Sequence, residues 1–213
     1  MDWATQQTIL YHAPFGAIVD INGTFNPKTG RFWQPQDAID AGHKSIFIRK
    51  GTYAPFTTAV DDLFILGEST EALIDGTTVS TAVTISGARV TLQNLAVTTL
   101  SGGGNSFNGV TASGVDVALL NLYVPNSDNV GLFFTAARGK VRGCLIADAD
   151  ATGIGTGSGS DNAQINNNHV RACGGDEIQL TAGADNSVVT GNIVEGGVVD
   201  NSVGSTVANN EAY

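Results

Sequence analysis

Leu92-Gln93-Asn94-Leu95-Ala96-Val97 is answered further along the chain by Leu119-Leu120-Asn121-Leu122-Tyr123-Val124. The row comes back as Val141-Arg142-Gly143-Cys144-Leu145-Ile146 and as Ile165-Asn166-Asn167-Asn168-His169-Val170. Val189-Thr190-Gly191-Asn192-Ile193-Val194 and Val207-Ala208-Asn209-Asn210-Glu211-Ala212 complete the series. The rows keep a step of roughly two dozen positions, and Ile65-Leu66-Gly67 stands one more step upstream. A second column keeps nearly the same register: Val83-Thr84-Ile85, Val110-Thr111-Ala112, Leu132-Phe133-Phe134, Ile154-Gly155-Thr156 and Ile178-Gln179-Leu180. Between the columns lie Ser86-Gly87, Ser113-Gly114, Arg138-Gly139, Ser158-Gly159 and Ala182-Gly183, where glycine tolerates the positive φ of a sharp bend.

Short strands with period-2 alternation, recurring once per step in two columns, predict an all-β fold, a parallel β-helix with one strand, turn, strand, corner and short strand per coil. A leucine-rich repeat needs a helix in each unit, and helical repeats need apolar residues at steps of three and four. Neither pattern occurs. Each coil rests about 4.8 Å above the last, so inward Val, Ile and Leu form one continuous core and about seven coils make a rod roughly 30 to 35 Å long.

Composition agrees. The 213 residues include 27 glycines and only 14% charged side chains, which favours turns over surface helices. The formal charge of −10 opposes binding to nucleic acid or to an anionic membrane surface. Met1-Asp2-Trp3 opens no basic and apolar leader, and no apolar run is long enough to cross a bilayer, so no membrane insertion and a soluble, unprocessed chain are expected, with the secretion route open. Cys144 and Cys173 read as free thiols, Cys144 as a packing residue.

The organisation expected is an N-terminal arm with a hairpin over residues 1–34 and a β-helix domain over 35–213. Pro35-Gln36-Asp37-Ala38-Ile39-Asp40-Ala41, closed by Gly42, predicts a short helix that plugs the first coil. Residues 35 to 213, with the "AIDAG" helix, the strand "SIFIRK", "GTY" and "ILGES" ahead of the coils, resemble the pectate-lyase-like right-handed β-helix superfamily. That resemblance implies a right-handed, single-stranded β-helix, as in bacteriophage tailspikes and other virion surface proteins. It also implies trimers, and it fixes no chemistry.

The amides Asn94, Asn121, Asn167 and Asn209, with Asn168, Asn192 and Asn210 beside them, predict a stacked structural ladder at a coil corner. Carboxylates at Asp128, Asp148, Asp150, Asp176, Glu177 and Glu195 follow the third strand of their coils, near Arg142, Arg171 and His169. Asp148, Asp150 and Asp176 are the candidates for catalysis by a polysaccharide lyase or glycoside hydrolase, since neighbouring coils bring carboxyl groups within the roughly 5 to 9.5 Å that glycoside cleavage uses. The sequence motifs of the superfamily's known enzymes are absent, so the reading leans away from an enzyme. No cofactor is expected. His12, His43 and His169 are too scattered for a metal site, and binding of calcium by the acidic turns is left open.

Ala96, Tyr123, Leu145, His169, Ile193 and Glu211 form an outward column, and Leu66, Leu120 and Phe133 add apolar surface. Leu120, Tyr123, Phe133, Leu145 and Ile193 are therefore the expected subunit contacts of a homotrimer; cover by loop 98–108 is the plainer alternative. Together these features suggest a virion structural protein: a capsid decoration or cement protein, or a small spike, joined to a capsid or tail protein through residues 1–34. A short chain fits decoration better than a depolymerising tailspike. A glycan-binding adhesin using Tyr123 and Phe133 as stacking platforms is the third reading.

Overall fold

The computed structural model describes residues 15–77, 81–99 and 107–212. Three parallel sheets run the length of a solenoid, and the repeating coils contribute a strand to each. The first sheet has ten strands, the second eight and the third seven. In the coil beginning at Lys140, the first sheet takes Lys140–Arg142, the second Leu145–Ala147 and the third Ile154–Thr156. Leu92, Leu119, Val141, Ile165, Val189 and Val207 stand directly over one another in the first sheet.

Alternation decides which side of each strand enters the core. Val97, Val124, Ile146 and Val170 of the second sheet point inward and are fully buried. So are Val83, Val110, Leu132, Ile154 and Ile178 of the third. A fully buried aliphatic side chain contributes about 1.5 to 3 kcal/mol, and stacking identical environments lets every coil bury its own set.

The N-terminal boundary differs from the expected one. Residues 1–14 lie outside the described residues, but Ala17–Val19 adds a strand to the first sheet, pairing in parallel with Ser45–Ile48 on one side and Arg31–Phe32 on the other. Ala17, Val19 and Phe32 are core residues. Residues 17–32 are thus an extra layer of the solenoid and not a detached arm. Phe15 continues along the outside of that sheet, its ring 5.4 Å from Phe47 and 6.0 Å from Phe64. The helix Pro35–Asp40 forms where expected, with Pro at its start, Gly42 at φ 85° after its end, and Pro35, Ala38 and Ile39 buried. At the other end the outer edges of Val198–Asp200, Thr206–Ala208 and Glu211–Ala212 have no strand beyond them among the described residues. Val203 there is 72% exposed.

Of the three turns in each coil, two carry a residue of positive φ in successive coils. Between the first and second sheets these are Asn94, Asn121, Gly143, Asn167, Gly191 and Asn209. Between the third and first sheets they are Asp62, Arg89, Asp116, Arg138, Asn162 and Asn186. Asn and Asp reach this region at low cost because their short polar side chains bond locally. The expected role of glycine in the second corner holds at Gly159 and Gly183, which have positive φ, and fails at Gly87 and Gly114, which do not. A Cβ on either of the latter would collide with a carbonyl of an adjacent coil, Val60 O and Gly87 O respectively.

Candidate functional site

The amide ladder runs one residue beyond the column of positive φ. Asn168 Oδ1 accepts from the Cys144 N–H at 2.9 Å, and Asn192 Oδ1 accepts from both the Asn168 N–H and Asn168 Nδ2 at 2.9 Å. Asn210 Oδ1 accepts from the Asn192 N–H and Asn192 Nδ2 in the same way. Each side-chain amide also donates to a carbonyl of the preceding coil: Asn168 to Val141, Asn192 to Ile165, Asn210 to Val189. Asn168 and Asn192 are buried, and the ladder satisfies backbone that water cannot reach. Asn94, Asn121, Asn167 and Asn209 instead set the bend, and Asn94 Nδ2 bonds the Gly67 and Glu68 carbonyls. Cys144 continues the inner column, and burial pushes its thiol up to about 12. It is a packing residue of the core. Cys173, partly buried beside carboxylates, is raised to about 11.

The candidate acids share the turns between the second and third sheets, where Asp148, Glu177 and Glu195 all act on the Cys173 thiol. Asp148 and Asp150 are exposed just after Leu145–Ala147, and Asp148 itself has positive φ. Asp176 accepts from Gln179 Nε2 at 2.9 Å, Glu177 from the Gly197 N–H at 3.1 Å and Glu195 from the Ala172 N–H at 2.6 Å. Asp176 therefore braces its own turn, while Glu177 and Glu195 tie the turns of adjacent coils together. Among the described residues no three His, Cys, Asp or Glu side chains gather as a metal set.

The outward column of the second sheet is continuous. Thr52, Leu73, Ala96, Tyr123, Leu145, His169, Ile193 and Glu211 are successive register partners. Leu73, Tyr123 and Leu145 are half-buried, Ile193 is 40% exposed, and Ala96 between Leu73 and Tyr123 is buried. The other expected contacts divide among faces. Leu66 and Leu120 belong to the first sheet, next to the corner that leads to the second. Phe133 belongs to the third sheet and does not share the face of Tyr123, Leu145 and Ile193. Its ring lies against Gly155 and Gly157, where a Cβ would stand 3.3 Å from it. Tyr123 and Phe133 are thus not one stacking platform. Of loop 98–108, residues 100–106 lie outside the described residues.

Sequence reasoning missed two features. The first is the charged column Asp62, Arg89, Asp116, Arg138, although each stands three positions before Ile65, Leu92, Leu119 or Val141 and so repeats in time with the strands. Arg89 Nε bonds Asp62 at 2.5 Å, Arg138 Nε bonds Asp116 at 2.7 Å, and each arginine holds its carboxyl below the ordinary range. The second is a cleft of about 460 Å³ on the outer face of the first sheet. Lys140, Arg142, Gln164, Asn166, Asn167 and Thr190 line it above Leu120. Lys140 and Arg142 are exposed there and form none of the salt bridges among the described residues, although the Lys140 charge helps to hold the Asp116 carboxyl low.

Residues 63–212 match the family described as the right-handed β-helix region. The chain belongs to the right-handed β-helix family. This match covers every coil from Leu63 onward, and the three parallel sheets of the β-helix agree with it. No curated protein and no solved structure gives a significant match.

Proposed function

We propose that this β-helix is a non-catalytic structural protein that works as a homotrimer of rods packed side by side, a decoration protein or small spike on a bacteriophage-like particle. The observation that carries the assembly is the second sheet's outward column. Leu73, Tyr123, Leu145 and, past His169, Ile193 repeat at the strand spacing and give one apolar band on either side of the buried Ala96, where isolated exposed side chains would need no explanation. Rings of identical rods bury such a band against a neighbour. The resemblance to virion β-helices supports the setting. At the plugged end, Phe25 and Trp33 are 41% and 48% exposed with rings 5.1 Å apart, an aromatic pair suited to gripping the particle.

Sedimentation equilibrium tests the assembly. The expected mass is three times 21.9 kDa, falling to the monomer in Leu145→Glu/Ile193→Glu with the β circular dichroism intact. A monomeric parent at every concentration removes the proposal.

A further inference from the structure

The apolar band has oppositely charged borders. On its first-sheet side stand Lys140 and Arg142, beside the cleft. On its far side, in the turn toward the third sheet, stand Asp148 and Asp150, with Asp176 and Glu195 in the next two coils and Arg171 as a cation among them. Arg142 and Asp148 belong to one coil, with Leu145 midway between them, so the two borders lie at the same height along the rod.

We infer that these borders are a docking code for further copies of this chain, and that they specify parallel rods in register. The inference rests on the side-by-side assembly proposed above. In a ring whose axis runs along the rods, the left border of one copy meets the right border of the next, at equal height. Lys140 and Arg142 then face the neighbour's Asp148 and Asp150. In an antiparallel pair, related by a twofold axis across the rods, the same borders return to themselves, so cations face cations and carboxylates face carboxylates. Like charges across an interface are costly, and complementary ones fix register and orientation. A chain of net charge −10 repels its copies at long range, and exposed cations beside the band such as Lys140 and Arg142 offer points of attraction against that repulsion. The cleft gives the incoming carboxylates a recess in which Gln164, Asn166 and Thr190 add hydrogen-bonding groups.

Two measurements test this. In sedimentation at low salt, Lys140→Glu/Arg142→Glu and Asp148→Asn/Asp150→Arg are each expected to weaken self-association about tenfold or more. Asn is chosen at 148 because it tolerates positive φ. Combining the two sets restores assembly, since the exchanged borders again complement each other, whereas Lys28→Glu/Lys44→Glu, the same charge change just ahead of the first-sheet strands Arg31–Phe32 and Ser45–Ile48 and away from the band, leaves it intact. In a Cys173→Ser background, Thr52→Cys at the first position of the column is expected to form an interchain disulfide. Parallel copies hold that residue at one height, and antiparallel copies separate it by about 30 Å. Assembly unchanged in both border variants overturns the code while leaving the trimer standing, and an assembled Thr52→Cys protein that forms no disulfide overturns the parallel arrangement and the cyclic trimer with it. A monomeric parent instead removes the assembly itself.

Discussion

The corner between the first and second sheets and the turn between the third and first both repeat a residue of positive φ from coil to coil, yet their chemistry is opposite. At the first, the residue after the bend points inward, and Asn168 and Asn192 are buried and bonded to the coils on either side. At the second, the bent residue points outward, and Asp62, Arg89, Asp116 and Arg138 pair in solvent. Both are ladders that climb one coil at a time. Burial separates them: an amide hidden from water must be matched or its partners bear the full desolvation cost, whereas an exposed ion pair exchanges one good solvent for another.

The largest effect is expected from breaking the inner ladder. Asn192→Ala leaves the Asn168 N–H and the Ile165 carbonyl without the groups they bond, and it should cost about 2 to 4 kcal/mol in urea unfolding. Next comes Gly143→Ala, which adds a Cβ at φ 67° against Asn121 Oδ1; the expected loss is about 1 to 2 kcal/mol by the same measurement. Arg89→Ala in the outer ladder should leave the urea midpoint unresolved from the parent at physiological salt, and a small difference should emerge only at low ionic strength. Its pH dependence has a fixed sign. Asp62 has a folded value below its ordinary one, so the parent's advantage is present above the ordinary carboxylate range and is lost as pH falls through the lowered value. Low-salt acid titrations of parent and Arg89→Ala should therefore differ near neutrality and converge in acid. The last contrast, at the cysteines, involves no loss of stability. With Cys173 raised to about 11, its alkylation at pH 8 should be about 100-fold slower than that of an ordinary thiol, and Cys144 slower still.

The coils were legible in the sequence because parallel stacking returns each residue to the same environment every circuit. Leu92, Leu119 and Val141 show the repeat because they occupy one column. The first layer escaped the same reading for a geometric reason. Ile18 pairs with Arg31 on one side and Phe47 on the other; the first step is too short and the second too long to match the coil period. Asn166-Asn167-Asn168 offered three amides in a row, and only the positive φ of Asn167 turns Asn168 into the core. Alternation showed that Phe133 faces outward, but a two-residue period carries no information about which of three faces that is. The basic cleft was hidden for a related reason: Lys140, Gln164 and Thr190 are neighbours only across coils.

The plug at Pro35–Asp40 gives the rod a direction of growth. From Phe64–Gly67 onward, each strand finds a partner on the coil made just before it, so the chain can wind onto the plugged end while its remainder is still being synthesised. A ribosome releasing this protein would lay down a finished floor before the next one begins.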